Sequence, residues 1–391
     1  MKEVSIAELI SEKISGEWGV EPTNGSAIKV LRTTNFTNDG RLRFHSVVER
    51  EIDPDIVKRK KLKYGDTIIE KSGGSPNQPV GRVVYFDLKT DEPFLCNNFT
   101  AILRPSKEVY PQYFFWLLFS RHLKKATLRY QNKTTGILNL KLERYLEEEM
   151  VNLPNFKTQQ KIAGIIEQVD AARQKRKQAN QLTEQFLQST FLEMFGDPIS
   201  NPKEFKVVTI GDLCEIRRGA SPRPIDKYVG GEVPWIKIGD ATAETSTLFI
   251  FKTKVHITKA GAEKSVLVPK GALIFANCGV SLGFARIMKI EGCIHDGWLS
   301  LFNFSKGIDV IFLLSWINHM TNYFRKLAPE GTQPNLNTTI LRNQKIPVPP
   351  LHLQQKFTSL VEKVENLRIK QWEGEKALDH LFNSLMQKYF G

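Results

Sequence analysis

Apolar residues recur at three- and four-residue spacing along two stretches of this chain. In residues 155–195 they fall at Ile162, Ile165, Ile166, Val169, Ala172, Ala179, Leu182, Phe186 and Phe191. In residues 351–390 they fall at Phe357, Leu360, Val361, Val364, Leu367, Leu378, Leu381, Leu385 and Met386. That spacing is one face of an α-helix. Neither stretch contains proline, and each has a single glycine, Gly164 and Gly374. The pattern predicts two helices of about 39 residues, roughly 58 Å each at 1.5 Å per residue. Each follows a proline-bearing, strand-like stop, Val151-Asn152-Leu153-Pro154 and Ile346-Pro347-Val348-Pro349-Pro350. A helix this long with one apolar stripe needs a partner, and the other stretch is the nearest candidate. The stripe thins at mid-length, at Arg173, Lys175, Arg176 and Lys177 and again at Lys370, Gln371 and Gly374. This is either a solvated charged face or a polar layer where two antiparallel helices cross and fix their register.

Elsewhere the pattern changes to short apolar runs bounded by turn residues. Thr67-Ile68-Ile69, residues 81–86, Thr100-Ala101-Ile102-Leu103, Ala272-Leu273-Ile274-Phe275 and Leu299-Ser300-Leu301-Phe302 read as strands. Residues 112–129 and 309–326 each read as one apolar helix. Tyr113, Phe114, Phe115, Trp116 and Leu117 are expected in a core rather than on a base-stacking platform. The fold class expected is α+β: two similar α/β domains and two long antiparallel helices with pseudo-twofold, coiled-coil-like pairing.

The two long stretches are copies of each other. Residues 156–196 and 351–391 align without a gap, with ten of 41 positions identical. Gln159-Gln160-Lys161 matches Gln354-Gln355-Lys356, and Phe195-Gly196 matches Phe390-Gly391. The repeat extends weakly upstream. Residues 68–75 resemble 274–281, and Val30-Leu31-Arg32 has a counterpart in Trp235-Ile236-Lys237. The boundaries expected are a first globular domain at 1–156, a first long helix at 157–199, a second globular domain at 200–350 and a second long helix at 351–391. Tails that stay alike beside domains that diverge suggest one shared task and two different ones.

Charge narrows the task. The chain of 391 residues carries 55 Lys and Arg against 42 Asp and Glu, a net charge of +13. That excess points to a polyanionic partner, nucleic acid first. No apolar run approaches the roughly 20 residues of a membrane helix, and the start reads as no secretory signal, so a cytoplasmic protein is expected. Cys96, Cys214, Cys278 and Cys293 are too scattered for a disulfide framework. Cys293 and His295 alone do not make a zinc site. No phosphate-binding Gly-x-x-x-x-Gly-Lys-Ser/Thr loop, His-Glu-x-x-His helix or Gly-x-Ser-x-Gly elbow occurs. Neither catalytic residues nor a metal site are expected.

Two pairs of polar loops remain. Residues 71–82 and 277–286 are glycine-bearing, and occupy equivalent places in the repeat. Residues 131–139 and 329–337 precede the long helices and carry Asn or Gln. Ordinary turns explain both pairs. A nucleic-acid reading also does: Gly admits close backbone approach, Ser and Asn bond phosphate or base edges, Arg suits guanine and Asn or Gln suits adenine. On that reading the DNA-binding candidates are Lys71, Ser72, Gly73, Ser75, Asn77, Arg82, Lys133, Lys237, Asn277, Gly279, Ser281, Arg286, Gln333 and Asn335.

The chain as a whole resembles the specificity subunits of type I restriction–modification systems. The resemblance rests on Leu153-Pro154 followed by Gln159-Gln160-Lys161-Ile162-Ala163, on Phe195-Gly196-Asp197-Pro198, on Val348-Pro349-Pro350-Leu351 followed by Gln354-Gln355-Lys356, and on Gly331-Thr332-Gln333-Pro334-Asn335-Leu336. In the first domain Gly136-Ile137-Leu138-Asn139 follows that last pattern only loosely. The resemblance implies a non-enzymatic subunit whose two target recognition domains each bind half of a bipartite double-stranded DNA sequence. It implies that the helices space those domains and dock two adenine-methylating modification subunits, with Ile162, Val169, Phe186, Phe357, Val364 and Leu381 as candidate partner-binding positions. Restriction subunits join the complex. S-adenosylmethionine, ATP and Mg²⁺ are expected on those partners, with no cofactor in this chain. A protein-binding coiled-coil scaffold, or a methyltransferase or nuclease with degenerate motifs, are the alternatives.

Overall fold

The computed structural model describes residues 2–23, 27–74, 78–134, 137–242, 248–328 and 335–391. The chain forms two compact units, Met1–Arg173 with Leu378–Gly391, and Gln174–Ala377. The division falls inside both long helices, Phe156–Phe195 and Leu351–Phe390, rather than at their ends. The reason is packing: each helix end is part of a globular core.

In the first unit an antiparallel sheet runs in the order Ile10–Ser15, Thr100–Pro105, Thr67–Glu70, Val83–Tyr85. A second sheet holds Val48–Arg50, Ile28–Leu31 and Phe94–Cys96, the last two parallel. One face of the first sheet (Ile69, Val83, Tyr85, Ala101, Leu103) packs on the helix Pro111–Leu123. Its other face (Ile68, Val84, Ile102) packs on Leu31, Phe94 and Cys96 of the second sheet. A sheet covered on both faces needs continuous apolar runs, which is why Thr67–Glu70 is buried throughout instead of alternating. Tyr113, Phe114, Phe115, Trp116 and Leu117 are core residues as expected.

The second unit repeats this plan. Its first sheet runs Glu215–Arg218, Trp298–Phe302, Leu273–Ala276, Ala285–Met288, with Phe249–Ile250 added at the edge. Its second sheet holds His256–Ile257, Val229–Ile236, Gly292–Ile294 and Val266–Val268, again with one parallel pair, Trp235 beside Cys293. The helix Val310–His319 covers the first sheet. Matching antiparallel strand pairs, Lys2–Ser5 with Met150–Leu153 and Lys206–Thr209 with Lys345–Val348, bring each unit's start beside the entry to a long helix.

The two apolar helices are shorter than the pattern predicts. The first stops at Leu123, and Lys125 takes φ 58° before a 3₁₀ turn at Ala126–Tyr130. The second breaks into Val310–His319 and Thr321–Leu327 at Met320. Apolar periodicity continues through a short break because both pieces face the same core.

Within each unit the long helices run antiparallel. In the first, Ile162, Ala163 and Ile166 share a core with Phe382, Met386 and Phe390, and Arg173 Nε donates to Asp379 Oδ1 at 2.7 Å. In the second, Phe191 and Phe195 pack edge-to-face against Phe357. Gln371 Nε2 donates to Thr183 Oγ1 at 3.1 Å, and Asn180 Nδ2 donates to Glu375 Oε2 at 2.8 Å. The thinning of the apolar stripe is therefore a polar layer between helices.

The repeated glutamine has a definite role. Gln159 Oε1 accepts from Tyr110 N (2.8 Å), while its Nε2 donates to Pro154 O (2.9 Å) and Glu108 O (3.2 Å). Gln354 Oε1 accepts from Asp309 N (2.8 Å), while its Nε2 donates to Pro349 O (2.7 Å) and Gly307 O (3.1 Å). Both side chains are buried. Each ties the first turn of a long helix to the start of its unit's apolar helix.

Candidate nucleic-acid interface

In both units several strands end on one edge, and the same backbone hydrogen bonds hold that edge together. Gly16 N donates to Thr100 O, Glu17 N to Cys96 O, Asn97 N to Leu31 O, Lys71 N to Phe99 O and Leu140 N to Lys71 O. The second unit answers with Gly219 N to Trp298 O, Ala220 N to Ile294 O, His295 N to Ile236 O, Asn277 N to Gly297 O and Leu336 N to Asn277 O. Gly16 and Gly219 sit where two segments of the chain cross. A Cβ there would lie 2.0 Å from Asn97 O in one unit and 2.2 Å from His295 O in the other. The frame makes Lys71 equivalent to Asn277, Asn97 to His295, Phe99 to Gly297, and Asn139 to Asn335. One backbone thus presents two different sets of side chains.

The two loop pairs singled out in the sequence are joined within each unit. Ser72–Gly73 pairs with Ile137–Leu140, and Ser72 Oγ donates to Asn139 Oδ1 at 2.6 Å. Cys278 bridges Asn335, and Asn277 Nδ2 donates to Asn335 Oδ1 at 3.1 Å. Asn277 is buried, so it joins the loops from beneath, whereas Asn335 is exposed. Gly73 (φ 128°) and Gly279 (φ 68°) supply the turns, and Ser281 is half-buried. Lys71 Nζ lies 3.3 Å from Ser15 Oγ, and burial lowers its pKa. Lys237 reaches back over the Trp235 ring at 4.7 Å, and its backbone N–H donates to Asp240 as Arg32 N–H does to Asn35. Lys133 is placed by its backbone alone, in the strand Gln131–Thr134. Ser75, Asn77 and Gln333 lie outside the described residues.

Two arginines are not where a free base-reading guanidinium belongs. Arg82 forms a two-point pair with the buried Glu70 (Nε–Oε2 2.9 Å, Nη2–Oε1 3.0 Å) and also donates to Thr33 O. Without Arg82 the Glu70 carboxylate would be buried uncompensated, so the fold itself holds this guanidinium. Arg286 donates to Ala241 O and Ala285 O and lines a cavity of about 470 Å³ with Val361 and Arg368 of the second long helix. Burial lowers its pKa to about 10.

The frame also exposes residues the sequence reading passed over. In the second unit Arg218 and Arg223 are exposed beside a hydrogen-bonded cluster. His295 Nδ1 accepts from Gly297 N at 2.9 Å, and His295 Nε2 lies 3.0 Å from Asp296 Oδ1. Asp296 Oδ1 also accepts from Ser221 Oγ at 2.9 Å. Burial lowers the His295 pKa against the pull of Asp296, and because Nδ1 accepts from Gly297 N, Nε2 is the donor toward Asp296. The first unit presents Phe99, exposed, with its carbonyl taking the N–H groups of Lys71 and Ser72. The signal for these was present as Arg217-Arg218-Gly219, a basic pair before the crossing glycine. Among the described residues no cluster of three His, Cys, Asp or Glu side chains is placed to hold a metal.

The helix positions divide. Ile162 and Phe357 are buried in their units' cores, Val364 is buried, and Val169 packs against the first core. Their apolar surface is thus largely used inside the chain. Phe186 and Leu381 are exposed, at 49% and 45%. No described helix is long and apolar enough to cross a membrane.

Comparison with known proteins agrees with this duplicated plan. The family model of the type I restriction modification DNA specificity domain matches residues 5–184 and 202–378. The MjaIX specificity subunit of Methanocaldococcus jannaschii, a type I restriction enzyme subunit, is 25% identical over 194 residues, covering 48% of this chain and 44% of its own. The MjaVIII specificity subunit of the same organism is 24% identical, over 52% of this chain and 46% of its own. This chain thus matches less than half the length of those two relatives. The HindI specificity subunit of Haemophilus influenzae is 22% identical, over 80% of this chain and 85% of its own. Among solved structures, the S subunit of a type I restriction–modification system from M. genitalium gives a TM-score of 0.63 at 14% identity, over 100% of this chain and 96% of that one. A chain from a type I R-M system assembly gives 0.56 at 18% identity, over 100% and 97%. These likenesses show the fold.

Proposed function

The chain belongs to the type I restriction–modification DNA specificity family, and from that premise we propose that it is the non-catalytic subunit that chooses the DNA sequence. Each globular domain reads one half of a bipartite double-stranded target through its strand-end edge. The observation that carries this is the matched frame: one set of backbone hydrogen bonds, occupied by Lys71, Asn97, Phe99 and Asn139 in one unit and by Asn277, His295, Gly297 and Asn335 in the other. Equivalent frames with different side chains read different half-sites, so the target is asymmetric. The +13 net charge supplies phosphate affinity that falls steeply with salt.

The two long helices set the spacing between half-sites and dock two adenine-methylating modification subunits. Phe186 and Leu381 are among the exposed apolar positions of these helices offered to them. Restriction subunits complete the assembly, which acts in the cytoplasm. S-adenosylmethionine, ATP and Mg²⁺ belong to those partners.

Replacing residues 200–350 by the same region of a relative tests the reading. Methylation mapping in cells should show one half of the modified sequence changed and the other retained. A change in both halves, or in neither, would refute it.

A further inference from the structure

The loop at residues 278–283 displays one side chain for which the fold has no use. Val280 is 98% exposed, and among the described residues no other large apolar side chain exceeds 66%. Single exposed apolar residues are common on protein surfaces, so exposure alone decides nothing. The setting does. Two residues along, Leu282 is buried and anchors the loop in the core of the second unit, which leaves Val280 no packing task.

The loop is held at both ends. Its entry is tied by Asn277 to Gly297 O and to Asn335. Its exit is tied by Gly283 N to Ala276 O, by Thr321 Oγ1 to Gly283 O at 3.0 Å and by Arg325 Nε to Leu282 O at 3.1 Å. Leu282 N closes the turn on Gly279 O. A β-branched side chain on a held turn has little freedom left to lose on binding.

The flanks are basic. Arg325 Nη2 lies 3.5 Å from Val280 O, and Arg218 Nε donates to Asp296 O at 3.4 Å, one residue before the Gly297 carbonyl that anchors the loop's entry. Both arginines are exposed. An apolar tip between two cations suits a polyanion that carries an apolar group. On base-pair edges that group is the thymine 5-methyl, displayed in the major groove. Side chains that wedge open base steps are typically Phe, Leu, Ile, Met or Pro. We propose that Val280 reads a thymine methyl in the half-site bound by the second unit, an inference that rests on the DNA-reading function above.

The full chain with its modification subunits would be titrated with duplexes bearing the mapped target. Each thymine of the second half-site, on either strand, is replaced in turn by deoxyuridine, which lacks the methyl. The wild-type complex should lose about fourfold in affinity at one of them, the worth of one buried methyl. Val280→Ala should bind the unmodified duplex more weakly by a similar factor and be indifferent to that uridine. Val280→Ile should keep the uridine penalty. Uridine tolerated by the wild type at every position, a penalty retained by Val280→Ala, or a second half-site without thymine would each overturn the assignment while leaving half-site reading intact. A wild-type complex with no sequence preference would overturn the DNA-reading function, and the assignment with it.

Discussion

His122 stands on the helix Pro111–Leu123 with its Nδ1 buried and, among the described residues, unpartnered. Burial lowers its pKa from 6.5 to about 4, and Arg82 pushes the same way. The folded chain therefore keeps this imidazole neutral where the unfolded chain protonates it. Between pH 6.5 and 4 the unfolded state binds more protons, so stability is lost as pH falls through that window. The loss is on the order of 3 kcal/mol. His122→Gln removes the titration, so its urea midpoint should drop less between pH 7 and pH 4.5 than that of the wild type. An equal drop would show that His122 does not carry this term. At the same scale, side-chain identity was legible in the sequence and partnership was not. Arg82 stood out as a base reader, yet Glu70 twelve positions earlier lies beside it across two antiparallel strands and holds it.

Among the elements, the two glutamine tethers join each long helix to its unit's apolar helix. The Gln-Gln-Lys repeat was visible as a repeat, and its first residue proves to be the one that matters. Gln159 and Gln354 each join a helix entry to three backbone groups that lie in different segments. Gln354→Ala leaves Asp309 N–H and the carbonyls of Pro349 and Gly307 without that partner, and Gln159→Ala does the same to Tyr110 N–H and its neighbours. Each substitution should cost about 2–3 kcal/mol, the scale of a lost hydrogen bond plus an unsatisfied buried donor. Denaturant unfolding should show a lower midpoint at unchanged slope. A midpoint unchanged for both variants would mean that the tethers contribute nothing. The long helices themselves were legible from three- and four-residue spacing, because that period depends only on neighbours along the chain. The split of residues 309–326 at Met320 was not, since both pieces face one core.

For the whole molecule, the proposed function makes the helices a ruler. Four residues inserted near Gln178 and four more near Glu373 lengthen both antiparallel partners by about 6 Å and slightly more than one turn, so the apolar stripes stay nearly in phase. At roughly 3.4 Å per base pair, that is one or two base pairs. Methylation mapping should return both half-site sequences unchanged and the unread spacer longer by that amount. A folded double-insertion variant that recruits its modification subunits and methylates only the original spacing would show that the helices do not set the distance.

What the sequence determined by itself was everything carried by local period and by copying: the two helices, the duplicated unit and the core aromatics at Tyr113–Leu117. These follow from neighbours three or four positions apart and from a comparison of the chain with itself. The tertiary structure alone decided which side chains are held inside and which are presented at the surface. Asn277 is taken by Asn335, Arg82 by Glu70 and Lys237 by the Trp235 ring, while Arg218 and Val280 are left outward. Those outcomes depend on which strand ends meet, and groups that meet elsewhere in this molecule can lie more than 200 positions apart (Arg173 with Asp379, for one). A hydrogen bond forms with whatever the fold brings within 3 Å, and no periodicity along the chain encodes that partner.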